Sequence, residues 1–215
     1  IFTHKEVAEL HQNKFNIEKS KIVIGYPIAL VSEENLSIAK SFNYTDSPIK
    51  VGYFGAFTKS VREPSNYLKN IGNLMNDDTE HIWYINEESK KYFASMKKTS
   101  QHKFIDIVPR DEAIKIMVNE IHILLSIGNL NKYQMPSKVI EYLSLGKPVL
   151  HYAEIESDPI YNFENLFDNL KIINNKTSKT EIENYIENIK EQKFELDVKT
   201  FNNNFSASKL INDLS

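Results

Sequence analysis

Six short apolar runs, at residues 49–54, 81–85, 103–108, 121–127, 148–152 and 170–173, are separated by stretches whose apolar residues fall at helical spacing. No other feature of the chain restricts its fold as much. Strands alternating with helices of this length join by right-handed crossovers into a parallel sheet, not by hairpins. The run at 121–127 is almost wholly apolar, as expected of a strand with both faces buried. The intervening helices are marked by Pro64 ahead of Tyr67, Leu68, Ile71, Leu74 and Met75, then by Tyr92, Phe93 and Met96. Asp111 reads as the cap of a helix with Ile114, Met117 and Val118 on one face, and residues 136–145 as a helix bracketed by Pro136 and Gly146. The expected fold class is α/β, a Rossmann-like parallel sheet flanked by helices.

Such a sheet takes ligands outside the carboxyl ends of its strands. That rule selects four loops before any chemistry is considered: 55–63, 108–111, 128–135 and the segment after Tyr152. Ahead of the sheet, Thr3 to Glu6 has the form of a capping box opening a helix to about Phe15. Residues 21–28 read as a strand ending at Pro27, and 29–48 as a polar connector holding one weak helix. Beyond residue 175, Ser178 to Glu181 repeats the capping pattern before a stripe of Ile182, Tyr185, Ile186 and Ile189, and 201–214 reads as a last helix.

Composition removes several classes of function. A length of 215 residues suits one large domain, or one domain and a fragment of another. The net charge of −3 is mixed along the chain, with no basic run to form a nucleic-acid footprint. No apolar stretch approaches the roughly 20 residues that span a bilayer. The absence of cysteine excludes disulfide and thiolate chemistry and fits a reducing cytoplasm. The six histidines show no metal-ligand spacing, so no metal is expected. The opening Ile1-Phe2-Thr3-His4 has neither a starting Met nor a signal-peptide pattern, which reads as a boundary inside a longer protein. Residues 52–60 loosely resemble a phosphate loop but lack the Gly directly before Lys59 and the required spacing.

The sharpest segment runs from Met135 through Pro136-Ser137-Lys138-Val139-Ile140-Glu141 to Gly146-Lys147-Pro148-Val149-Leu150. It sets a helix directly after a ligand-facing loop. First-turn amides of such a helix are free donors at the positive end of its dipole, which suits a phosphate. Lys138 adds a mobile cation, and Glu141, about one turn further in, can accept hydrogen bonds from ribose hydroxyls. The plainer reading is ordinary capping by Pro-Ser and dipole compensation by Glu141.

The run 136–143, followed by 146–149, resembles the signature of the retaining family 4 glycosyltransferases of GT-B fold. The Gly-ended first strand at 51–55, the turn at 107–112 and the buried strand at 121–127 extend the resemblance over roughly residues 49–153. By that resemblance Glu141 matches the glutamate that binds the donor ribose, and Pro136, Ser137 and Lys138 match the phosphate-binding helix start. Lys59 and Arg62 fall in the loop after Gly55 where the family places its diphosphate-binding cations, and Val108, Pro109 and Arg110 match the turn whose backbone reads the base. Two positions depart from the pattern. Tyr133 stands eight residues before Glu141, where many members carry a sugar-contacting glutamate and a subset does not. The usual order of Arg then Lys is reversed, since Lys59 precedes Arg62, and Ala56 follows the glycine.

The resemblance implies a division into residues 1–28, the tail of an acceptor domain; 29–48, a connector; 49–175, the nucleotide-sugar-binding domain; and 176–215, C-terminal helices. It implies a donor-binding half of an enzyme that moves a sugar from a nucleotide diphosphate to a hydroxyl acceptor in cell-surface polysaccharide synthesis. The donor is a substrate and no cofactor is expected. The acceptor, a saccharide or lipid-linked, would be held by the missing first domain, so the fragment alone is expected to be inactive. The expected location is the cytoplasm, at the inner membrane face for the full-length enzyme. Two other readings stay open: a non-catalytic Rossmann-like nucleotide-binding or interaction module, and a nucleotide-sugar epimerase of related fold, against which the 136–141 segment argues.

Overall fold

The structure, a computed structural model, describes residues 1–72, 78–94, 101–191 and 194–214. Leu74, Met75 and Met96 lie outside them. Six strands, β1 (Ile49–Phe54), β2 (Thr79–Tyr84), β3 (His102–Ile105), β4 (Ile123–Ile127), β5 (Val149–Tyr152) and β6 (Leu170–Ile173), form one sheet in the order β3-β2-β1-β4-β5-β6. Every pairing is parallel, with Val51 opposite His81 on one side and Ile123 on the other. All carboxyl ends therefore share one edge, and the order of connection reverses between β1 and β4, the switch point of a doubly wound sheet. The fold is α/β and Rossmann-like, as expected.

The helices are α1 (Lys5–Phe15), α2 (Glu33–Ser41), α3 (Ser65–Tyr67), α4 (Glu87–Lys90), α5 (Arg110–Glu120), α6 (Lys138–Ser144), α7 (Lys179–Glu191), α8 (Val198–Phe205) and α9 (Ala207–Leu214). They cover both faces of the sheet. On one face Phe54, Tyr84, Leu124 and Val149 meet Met117 and Val118 of α5, Val139 and Tyr142 of α6, and Phe201 and Phe205 of α8. On the other, Tyr53, Trp83, Leu125 and Leu150 meet Tyr67 and Ile71 and the α7 stripe of Ile182, Ile186 and Ile189. All five residues of β4 are buried, because it is central and covered on both sides.

Several local expectations change. Residues 21–28 form no strand: Ile24 makes a single bridge to Phe2, and the segment lies against α9, where Gly25 approaches Leu210. The Thr3–Glu6 capping box does not form. The helix begins at Lys5 after His4, which makes no side-chain cap, and the Thr3 hydroxyl lies 3.1 Å from Nδ1 of His4. Asp111 sits inside the first turn of α5, whose N-cap is Pro109. Pro64 is likewise a cap position, and α3 widens at once into a π-turn over Leu68–Gly72. The third strand ends at Ile105, leaving Ile107 exposed. The last helix is two, because Ser206 turns extended and its hydroxyl accepts from the amide of Lys209, capping α9. The Ser178 box does form: its hydroxyl accepts from the Glu181 amide at 3.3 Å and its own amide donates to Glu181 at 2.8 Å. Gly146 closes α6 with φ of 70°.

At the amino end of β5, Lys147 is fully buried. Its ammonium group sits 3.1 Å from the centroid of Phe42 and 4.8 Å from that of Tyr44, and it donates to the Val118 carbonyl at 3.5 Å. Burial without a carboxylate pushes its pKa down to about 6.

Candidate functional site

At the carboxyl edge, between the end of β1 and the starts of α5 and α6, lies a slot of about 240 Å³. One wall is aromatic: Phe54 and Tyr84, neighbours across β1 and β2, stack at 4.4 Å with rings inclined by 5°. Ala113, Ile114 and Met117 of α5 line the interior, and Ile107 and Val108 the lip. The mouth is polar, formed by Gly55, Arg110, Lys138 and Glu141. An apolar slot with a few convergent polar groups is the usual build of a small-molecule site.

Gly55 directly follows β1 with φ of 154°, and its amide donates to the Tyr84 carbonyl at 3.0 Å. A Cβ there would stand 3.3 Å from Cε of Lys138, so the missing side chain is what lets Lys138 lie across the strand end. Lys138 is held below the usual lysine pKa, first by burial, with Arg62 and Arg110 adding to the effect and Glu141 opposing it. Glu141 receives Nε of Arg110 at 2.9 Å and Nη2 at 2.8 Å, both on Oε1.

Arg62 stands just beyond the slot. Its Nε donates to Oδ1 of Asn129 at 3.1 Å, and the buried Asn129 donates in turn to the Gln134 carbonyl at 2.6 Å. The Leu130 amide donates to the Val61 carbonyl at 2.7 Å. These bonds stitch the 55–63 and 128–135 loops together. Of the residues singled out from the sequence, Gly55, Val108, Arg110, Lys138 and Glu141 meet in the slot. Pro109 caps α5, and Pro136 is buried at the approach to α6. Ser137 is the exposed N-cap of α6 and makes no side-chain cap. Lys59 is exposed in its loop, and Tyr133 is 45% exposed with its amide bonded to Asn131; neither lines the slot.

Other residues of this edge carry no local sequence signal. The aromatic pair is visible only once β1 and β2 are in register. Glu154, beyond β5, accepts from Asn66 at 2.8 Å through Oε2, while its Oε1 is buried with no hydrogen-bond partner. Burial raises its pKa, against the Asn66 hydrogen bond. His151, Ser126 and Asp158 form a wholly buried cluster: Ser126 Oγ is 3.2 Å from Nδ1, and Asp158 Oδ2 is 3.2 Å from Nε2. The second of these is a close contact and not a hydrogen bond, since neither atom has a hydrogen-bond partner. His4, fully buried, donates through Nε2 to the Lys132 carbonyl at 2.8 Å.

A second, larger groove of about 420 Å³ lies between residues 22–26 and 204–213, shares no lining residue with the slot, and its Lys209 is already paired with Asp213. Among the described residues no group of three or more His, Cys, Asp or Glu could hold a metal ion, and no helix is long and apolar enough to cross a membrane.

No protein-family profile matches the chain. No curated protein matches it in sequence. Solved structures do match. The lipopolysaccharide outer core galactosyltransferase WaaB in its apo form superposes with a TM-score of 0.64 at 11% identity, covering 99% of this chain and 59% of that one. Anabaena Alr3699/HepE, in complex with UDP and glucose, gives 0.62 at 12% identity over 97% of this chain and 60% of its own. WaaG, a glycosyltransferase involved in lipopolysaccharide biosynthesis, gives 0.55 at 12% identity over 95% and 61%. The chain thus spans about three-fifths of the length of these proteins, and over that span it has the Rossmann-like fold of GT-B glycosyltransferases.

Proposed function

We propose that this chain is the donor-binding part of a retaining family 4 glycosyltransferase. It would hold a nucleoside diphosphate sugar whose sugar passes to a hydroxyl acceptor in cell-surface polysaccharide synthesis. The observation that carries the reading is the slot at the switch point, where an aromatic and aliphatic interior opens on Lys138 and Glu141. The base would enter the interior between Phe54, Val108 and Met117, with the backbone of Val108 to Arg110 reading its edge. The ribose would meet Glu141. The diphosphate would lie toward Gly55, the start of α6, Lys138 and Arg62, with Lys59 at its outer side. Those cations and the first-turn amides would stabilise charge developing on the leaving diphosphate, without a metal or cofactor. The similar structure that contains UDP and glucose supports this class of ligand. Acceptor binding and turnover would require the further domain of the full-length protein, in the cytoplasm at the membrane face. An isolated chain that catalysed acceptor-dependent sugar transfer would overturn that division of labour.

Calorimetric titration with UDP, GDP and ADP and their sugar conjugates tests the reading. One diphosphate is expected to bind selectively. Glu141→Ala is expected to weaken it by about 1.5–3 kcal/mol, roughly ten- to a hundredfold, because charge-assisted hydrogen bonds to ribose are lost. No binding by any of the six, or binding indifferent to Glu141→Ala, would refute the assignment. The exposure of Tyr133 outside the slot favours a second reading, a module that binds nucleotide without chemistry. Binding by the full-length protein without either sugar transfer or donor hydrolysis would select it.

A further inference from the structure

Arg110 opens α5 and Glu141 lies in the first turn of α6, so their contact spans the mouth of the slot between two helices. Its geometry is specific. Nε and Nη2 of one guanidinium, at 2.9 and 2.8 Å, both fall on Oε1 of Glu141. Nε donates a hydrogen bond to Oε1 and Nη2 lies against the same oxygen as an ion-pair contact, so the guanidinium occupies Oε1 and leaves Oε2 for a ligand. The Arg110 side chain is 72% exposed and that of Glu141 22%. An ion pair this open to solvent adds little to stability. What it does fix is the orientation of the carboxylate, which a long flexible side chain would otherwise have to surrender on binding.

We infer that Arg110 is a positioning residue that sets the slot's preference for ribose over deoxyribose. It occupies Oε1 of Glu141 and holds Oε2 ready for a sugar hydroxyl. This rests on the nucleotide reading above and adds to it a role for the Arg110 side chain, distinct from that of its backbone. Arg110 also carries charge, which would attract any diphosphate. That contribution is the same for ribo- and deoxyribonucleotides, whereas positioning of Glu141 is felt only where a hydroxyl is present. The ratio of the two affinities therefore isolates positioning from attraction.

The experiment titrates the parent chain, Arg110→Ala, Arg110→Lys and Arg110→Ala/Glu141→Ala with UDP, GDP and ADP and with the 2′-deoxy and 3′-deoxy form of each, following folding by thermal melting. For the diphosphate that binds best, the parent is expected to favour the ribo form over at least one deoxy form by about tenfold. Arg110→Ala should bring that ratio within about threefold, and Arg110→Lys should restore little of it, since an ammonium cannot set two nitrogens of a planar fork on one oxygen. In the Glu141→Ala background, removing Arg110 should leave the ratio unchanged. Equal weakening of ribo and deoxy forms by Arg110→Ala would reduce Arg110 to an attractive charge and overturn the inference while leaving the nucleotide reading intact. Failure of the folded parent chain to bind any of the nine ligands would overturn the nucleotide reading, and the inference with it.

Discussion

Replacing Gly128 with valine is expected to destabilise the protein by about 3 kcal/mol and to lower Tm by about 6–12 °C. Gly128 directly follows β4 at the carboxyl edge, and its amide donates to the Tyr152 carbonyl at 2.8 Å. A Cβ there would overlap Oδ2 of Asp158 and stand 3.0 Å from the Tyr152 carbonyl oxygen and 3.2 Å from the Glu154 amide. Two of these three neighbours are backbone atoms at the end of β5 and cannot rotate away. The third cannot retreat freely either, because Asp158 accepts from the Ile160 amide at 2.9 Å and sits beside buried His151. Gly128→Ala should cost less but in the same direction. Urea and thermal unfolding measure both variants, and a Tm loss under about 2 °C for the valine variant would show that the end of β5 gives way readily.

The second large effect has the opposite sign. Lys147→Met is expected to stabilise the protein by about 2 kcal/mol at pH 7.5. The thioether keeps the volume and contacts Phe42 and Tyr44 without a proton to strip of water. The gain should depend on pH in a defined direction. Lys147 has a folded-state pKa near 6 against an ordinary 10.5. Between those values the unfolded chain holds the extra proton, so stability rises with pH, by up to about 1.4 kcal/mol per unit from this one group. Below pH 6 the penalty is at its full size, and above 10.5 it is gone. The advantage of Lys147→Met should therefore shrink by about 2.7 kcal/mol between pH 7 and 9 in paired urea titrations, a comparison in which other groups cancel. An advantage that did not change with pH would mean that Lys147 keeps its proton in the folded state, held by the rings of Phe42 and Tyr44.

Both features lay beyond sequence reading, and for the same reason. Gly128 and Lys147 are constrained by atoms from segments distant in the chain, and no local pattern records that. Periodicity, by contrast, is local: the six strands, the α7 stripe and the Gly146 stop were readable because burial on a sheet or a helix repeats every few residues. Residues 21–28 mislead because an apolar run says nothing about whether a partner strand lies beside it. The division at Ser206 is hidden because the residue that ends α8 is itself an acceptable member of a longer helix. At the site, Lys138 and Glu141 were legible through the 136–149 segment. The stacked Phe54 and Tyr84 required the β1–β2 register, and the Arg110–Glu141 fork required the crossing of two helices.

One contact ties distant parts of the chain together. The bond from His4 to the Lys132 carbonyl joins positions 128 residues apart. His4 is fully enclosed while Lys132 is exposed, so the bond runs from the interior to a surface loop. The start of α1 and the loop between β4 and α6 are thereby tied together. That loop, through Asn129, also grips Arg62. The beginning of this sequence and a cation beside the slot are thus two hydrogen-bonded joints apart, with one loop as the link between them.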